Sequence, residues 1–209
     1  MKAVLLESHG PPSILQYKEI PDPVCNKFQV KIQIKSSSIN HLDLWVRAGI
    51  PGLHINLPLV MGADGAGLIS EVGSEVSGFN VGDRVVIQPG VFDPKCKLSQ
   101  AGRENLSPTY GILGETHNGV QSEYVCLAPS NVFKMPNSIS FSDMSSMPLT
   151  FMTSHNMLIN KAKISKDDVV LIYGGASGVG SAAIQITKDI GCKTIISTVG
   201  SKDKFSYVG

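Results

Sequence analysis

Two stretches of this 209-residue chain carry residues whose types and spacing could do chemistry. The first is GGASGVG, residues 174–180, which follows an apolar run and opens a helix-like one. A glycine turn in that position lets backbone approach a pyrophosphate, which the first N–H groups of the helix then receive. Gly175 is expected to make the tight turn, and Gly178 and Gly180 the close approaches. Ser177 stands where the strict G-x-G-x-x-G places its middle glycine. Val179 opens the helix and completes the set expected to touch a dinucleotide. The acid that would hold a ribose 2′-hydroxyl belongs about 20 residues further on. There the chain reads Ser197-Thr198-Val199-Gly200-Ser201-Lys202, without a carboxylate. Ser201 and Lys202 suit a 2′-phosphate, so NADP(H) is expected over NAD(H); the alternative for Lys202 is a solvated lysine at a helix start.

The second stretch joins Asn40-His41-Leu42-Asp43 to VMGADGAGLISEVG, residues 60–73. Asp64 is a charge placed where a glycine-rich turn runs into an apolar strand. It is either a turn aspartate bonded to its own backbone or a site residue.

The elements that must position these residues change character along the chain. Up to about residue 135, MKAVLL, LQYKEI, FQVKIQIK, LISEVG, DRVVIQ and SEYVCLA are short apolar or alternating runs between Gly, Pro and Asn, which read as strands. In FQVKIQIK, Val30, Ile32 and Ile34 share one face and Lys31, Gln33 and Lys35 the other, as in a half-buried antiparallel strand. A helix is expected over 40–47, capped by Asn40. After Pro136, residues 140–164 read as helical, with methionines filling core gaps. A strand (169–173), the glycine turn, a helix (179–190) and a second strand (194–198) then form one βαβ unit, which implies a parallel sheet.

Bulk properties exclude several classes. Hydrophobic residues make up 42%, charged residues 17%, and the formal net charge is +1. Disorder and an electrostatic grip on nucleic acid are therefore not expected. The apolar run of MKAVLLESHG is too short for a signal peptide, and no stretch approaches the roughly 20 residues of a membrane span. Cys25, Cys96, Cys126 and Cys192 lie far apart without paired spacing, which reads as reduced thiols in a cytoplasmic protein.

Six segments in order, SSINHLDLWVRAG (37–49), MGADGAGLISEVG (61–73), VGDRVVIQPG (81–90), EYVCLAP (123–129), PLTFMTSH (148–155) and GGASGVGSAAIQITK (174–188), resemble the medium-chain dehydrogenase/reductase superfamily. The similarity is to its zinc-type alcohol dehydrogenase-like and quinone oxidoreductase-like branches. It implies a GroES-like β-barrel domain over 1–135, followed by a Rossmann domain over 136–209. As given, that second domain would be incomplete: a linking helix and the first βαβ unit. The resemblance also implies a homodimer or homotetramer at full length, a small carbonyl or quinone substrate, and neither nucleic acid nor membrane as partner.

By the same resemblance, the catalytic-zinc ligand positions fall on Asn40, Ala63 and Leu149, and the structural-zinc positions on Asp93, Cys96, Ser99 and Ser107. Alanine and leucine carry no donor atom and hydroxyls are poor zinc ligands, so no metal is expected. Asp64 is then a cleft carboxylate bonded to backbone or to the 40–43 turn. Asn40 is expected to donate to a substrate carbonyl. His41 is a candidate proton donor or contact to the cofactor phosphates, and Asp43 either orients His41 or caps the helix. Thr153 matches a family threonine near the nicotinamide, whereas His155 reads as a packed or half-exposed histidine. The expected function is NADP(H)-dependent hydride transfer to or from a quinone, enone, aldehyde, ketone or alcohol. The alternative is a non-catalytic or truncated remnant with a packing or partner-binding role.

Overall fold

Alternation of β-branched and polar residues through the first part produces ten short strands. They are β1 (Lys2–Leu6), β2 (Gln16–Glu19), β3 (Val30–Ser37), β4 (Leu59–Val60), β5 (Gly65–Val72), β6 (Arg84–Ile87), β7 (Gly90–Val91), β8 (Gly111–Ile112), β9 (Tyr124–Leu127) and β10 (Val132–Lys134). The computed structural model describes residues 1–208. All pairings among these strands are antiparallel: a five-stranded sheet in the order β10-β6-β5-β3-β9, a three-stranded sheet β2-β1-β4, and the ribbon β7-β8. An Ala3–Ser122 bridge ties the two larger sheets together, and among the described residues their outer edges do not pair into a closed ring.

β3 shows the alternation at work. Val30 and Ile32 are fully buried, and Ile32 lies between Ile69 of β5 and Val125 of β9. With Val85, Ile87 and Val120 they form the main core. A second cluster, Leu6, Val46, Leu59 and Met61, seats α1 (His41–Ala48). Two short helices follow, α2 (Lys97–Gln100) and α3 (Phe141–Ser145).

The methionine-rich segment is helical, but in pieces. Pro148 cannot continue a helix ladder from the residues before it, so α3 stops and α4 (Pro148–His155) starts afresh. It runs into a π-helical stretch over Asn156–Ala162. Contacts divide the chain at Pro148, so residues 136–148 belong with the strands, although the texture of the sequence changes at Pro136. The reason is α3. Ser145 Oγ donates to Ser36 Oγ of β3 at 2.9 Å, and the Phe141 ring lies 4.2 Å from the Arg84 guanidinium of β6.

From Leu149 onward the second unit holds the expected βαβ element: β11 (Val169–Ile172), α5 (Gly178–Ile190) and β12 (Thr194–Ser197), with β11 and β12 parallel. Residues Lys202–Tyr207 form a 3-10 turn where a further helix was expected to begin, and Gly209 lies outside the described residues.

One expectation is overturned. Cys25 and Cys126 are disulfide-bonded, with Cα atoms 5.4 Å apart, while Cys96 and Cys192 are free. The loop after β2 runs beside β9, and this proximity is invisible in a spacing of 101 residues.

Candidate functional site

In the first unit, the site is built where the β4–β5 turn meets the start of α1. Gly62 makes that turn with φ of +93°, a conformation that costs glycine little. It is also a crossing point: a Cβ on Gly62 would lie 2.5 Å from Gln121 Cγ, and one on Gly119 would lie 2.2 Å from the Gly62 carbonyl oxygen. The glycines therefore let three chain segments touch, and the touching segments bury Asp64 completely.

Asp64 faces Asn40. Asn40 Nδ2 donates to Asp64 Oδ2 at 3.0 Å, and Ser38 N–H donates to the Asp64 backbone carbonyl at 3.2 Å. Of the two kinds of partner expected for Asp64, its side chain bonds to the 40–43 turn through Asn40. Asn40 is the N-cap of α1, and Asp43 Oδ2 accepts the Asn40 backbone N–H at 2.7 Å. Of the two roles left open for Asp43, the structure therefore shows the cap. Burial pushes the Asp43 carboxyl above the ordinary carboxylate range, against the N–H groups of Asn40 and Gly62, which pull it down. His41 points to solvent, its ring tilted at 50° to Trp45 with centroids 6.1 Å apart. Trp45, itself 59% exposed, went unmarked in the sequence, where only its position four residues after His41 could have pointed to the pair.

In the second unit, the glycine turn and the head of α5 are assembled by four devices. Gly174, not Gly175, takes the left-handed conformation of the tight turn, with φ of +68°. Gly175 instead passes under β12, where a Cβ would meet Ser197 Oγ at 2.0 Å. Gly180 packs the first turn of α5 against the strand end, since a Cβ there would lie 2.2 Å from the Gly174 carbonyl oxygen. Ser177 is the N-cap, its Oγ accepting Gly180 N–H at 3.0 Å. Ala176, Ser177 and Gly178 are exposed and Val179 half-buried, so backbone at the helix head is open to a ligand. This geometry fits a dinucleotide pyrophosphate.

Thr153 is exposed on α4, with its hydroxyl donating back to the Leu149 carbonyl at 2.7 Å. His155 is exposed too, not packed. Ser201 and Lys202 are exposed after β12, and Asp203 interacts with the Ser201 hydroxyl, which holds its carboxyl below the ordinary value.

A catalytic zinc does not fit the donors present. Ala63 is fully buried without a ligating atom, and the Asn40 amide is engaged by Asp64. Among the described residues no group of three or more His, Cys, Asp or Glu side chains could hold a metal. In the lobe around α2, Cys96 Sγ takes a hydrogen bond from Ser107, which lowers its pKa. With Asp93, Ser99 and Ser107 that leaves one sulfur and one carboxylate for a site that needs four good ligands.

Comparison with known proteins agrees with this architecture. Residues 26–137 match the alcohol dehydrogenase GroES-like domain. The chain is 32% identical to an NAD-dependent alcohol dehydrogenase of Sulfolobus acidocaldarius, covering 97% of this chain and 60% of the relative. It is 28% identical to the quinone oxidoreductase of Homo sapiens, covering 97% of this chain and 54% of the relative. Among solved structures, an NAD-dependent alcohol dehydrogenase superposes with a TM-score of 0.95 at 40% identity, over 100% of this chain and 60% of that one. A cobalt- and zinc-bound thermostable alcohol dehydrogenase from Pyrobaculum aerophilum superposes with a TM-score of 0.89 at 25% identity, over 100% and 62%. The chain thus spans a little over half the length of the curated relatives it matches. With the GroES-like match covering its strand-rich unit and the dinucleotide-type βαβ element following it, the chain belongs to the medium-chain dehydrogenase/reductase superfamily, in its alcohol dehydrogenase and quinone oxidoreductase-like branch.

Proposed function

We propose that this chain is part of a zinc-free oxidoreductase that moves a hydride between NADP(H) and a quinone, enone or other carbonyl or alcohol substrate. The observations that carry this reading are a half-exposed amide donor at Asn40 and a fully buried Ala63, at positions where the family resemblance puts metal ligands of the zinc-dependent members. A nicotinamide bound at the α5 turn supplies the hydride. Asn40 donates to the carbonyl oxygen as negative charge grows there. His41 is the proton donor or a contact to the cofactor phosphates. The backbone around Gly175, Ser177, Gly178, Val179 and Gly180 would receive the pyrophosphate, and Thr153 would be the contact to the nicotinamide.

Ser201 and Lys202 are proposed to take a 2′-phosphate. A second cofactor reading has its own support: Asp203 engages the Ser201 hydroxyl, and the Sulfolobus relative is named NAD-dependent. Lys202→Ala separates the two. With NADP(H), NADPH affinity falls roughly ten- to a hundredfold, the worth of one charge-assisted hydrogen bond, and NADH affinity is spared. With NAD(H), Asp203→Asn weakens NADH and Lys202→Ala changes neither.

The hydride-transfer reading is tested by Asn40→Ala in turnover assays with a quinone and enone panel. Loss of one oxyanion-stabilising donor lowers kcat by about 10²–10³ with cofactor affinity retained. A variant that loses only about 1 kcal/mol of stability, the worth of a helix cap, with normal turnover would remove Asn40 from the chemistry.

A non-catalytic packing or partner-binding role has one supporting observation, the uncovered sheet face at Val169, Leu171, Tyr173 and Ile196. Failure to bind either nicotinamide cofactor, together with no turnover of the panel, would favour that role. A homodimer or homotetramer and a cytoplasmic location remain proposals. The disulfide removes the cysteine argument for the cytoplasm, where such bonds are rare.

A further inference from the structure

Asn40 is held by two carboxylates that do different things. Asp43 fixes its main chain by accepting the backbone N–H at 2.7 Å. Asp64 acts on its side chain, accepting one amide N–H of Nδ2 at 3.0 Å. Asp64 cannot move away to accommodate another arrangement. It is fully buried, its own carbonyl is bonded to Ser38 N–H at 3.2 Å, and Gly62 just before it is crossed closely by Gly114 and Gly119.

Two contacts dictate the sense of the amide. A side-chain amide has a donor edge and an acceptor edge of nearly equal shape. The donor edge of Asn40 faces Asp64 Oδ2, and its side chain also accepts the Asp43 backbone N–H in the capping box of α1. Turning the amide over would lose both contacts. Nδ2 carries two protons, and one of them is engaged inside the unit. Asn40 is half-exposed, so the other proton is open to a ligand.

We propose that Asp64 is a positioning residue: its buried carboxyl accepts one Nδ2 proton of Asn40 and so holds the amide with the second Nδ2 proton presented to a carbonyl ligand. This rests on the reading of Asn40 as carbonyl donor given above. It also gives a reason for an acidic side chain in a glycine-rich turn at the start of an apolar strand.

The test uses the ¹⁵N-labelled 209-residue chain, with the Asn40 amide pair identified by its disappearance in Asn40→Ala. In the wild type, one Nδ2 proton should exchange with solvent at least tenfold more slowly than its geminal partner. Cyclohex-2-enone, as carbonyl probe, should shift only the fast-exchanging one. Asp64→Ala should make the two exchange alike. Equal exchange of the two protons in the wild type overturns the proposal without any variant, and so does persistence of the slow proton in a folded Asp64→Ala. If Asp64→Ala does not fold, Asp64→Leu, which fills the site without an acceptor, is read instead, and the slow proton should again be lost; its persistence overturns the proposal. If the lock is present and the enone shifts neither proton, Asp64 still fixes the amide and the reading of Asn40 as carbonyl donor falls.

Discussion

The first unit closes its charged turn behind finished packing, whereas the second covers only one side of its sheet. In the strand-rich unit, Asp64 and Ala63 are fully buried, Val30, Ile32, Val85 and Ile87 fill the core, and a disulfide ties the loop after β2 to the edge strand β9. In the βαβ unit, Leu158, Ile172, Ala183 and Ile184 make one small cluster. On the opposite face, Val169, Leu171, Tyr173 and Ile196 are all about half exposed or more. Antiparallel strands can leave one face to water, but a parallel sheet is normally covered on both. One helix per pair of strands cannot do that. Glycines therefore serve different ends in the two units: in the first they bury a carboxylate, and in the second they keep a helix head accessible.

That contrast predicts that the two units respond separately to damage, and the largest effect belongs to the disulfide. Reducing Cys25–Cys126, or Cys126→Ser, should destabilise the first unit by about 2–5 kcal/mol, because the bond closes a loop of 101 residues. Trp45, the chain's only tryptophan, reports that unit alone. Its unfolding transition should move while hydrogen exchange in α5 stays unchanged. A matching shift in α5 would show that the units fold as one.

The reverse experiment is Gly180→Ala. Its Cβ would lie 2.2 Å from the Gly174 carbonyl oxygen, so the head of α5 must shift. Overpacking of this kind costs about 1–3 kcal/mol. Exchange over residues 174–190 should accelerate and NADPH binding weaken, with the Trp45 transition unmoved. Binding that survives would mean the turn geometry does not hold the pyrophosphate.

Ser177→Ala sharpens the same point with less damage. It removes the Oγ that accepts Gly180 N–H at 3.0 Å and should cost the second unit about 1 kcal/mol. A loss of NADPH affinity well beyond that would give Ser177 a direct contact as well as a cap.

The smallest effect is a slope against pH in the first unit. Burial raises the Asp43 carboxyl above its ordinary 3.8, so the folded state favours the neutral acid. The associated stability is fully present below the unfolded pKa and is lost as pH rises through the raised folded value. Relative to Asp43→Asn, the wild type should therefore lose stability as pH climbs from about 3.8, as read by Trp45 fluorescence in denaturant titrations at each pH. A difference that does not vary with pH would mean that the bonds to Asn40 and Gly62 N–H cancel the cost of burial.

Much of this was written locally. The alternation in β3 determined that Val30 and Ile32 face inward, because side chains on a strand point to opposite faces in turn. GGASGVG with its apolar flanks determined a strand, a glycine turn and a helix, since these are decided within a few residues; that Ser177 caps the helix came only with the structure. That Ala63 and Leu149 carry no metal donor is a matter of residue type, while their place at ligand positions is implied by the family resemblance. Other features lay beyond the reach of spacing. Cys25 and Cys126 meet only because the loop after β2 runs beside β9. Asp64 reaches Asn40, 24 residues away, because the crossing at Gly62 presses the β4–β5 turn against the start of α1. The tight turn before α5 falls on Gly174 because Gly175 must pass Ser197, a residue of the neighbouring strand. Periodicity and propensity act over one turn or one pleat, and they determined the elements; which side chain meets which across 20 to 100 residues was decided only when those elements packed, because only packing brings residues so far apart in sequence within bonding distance.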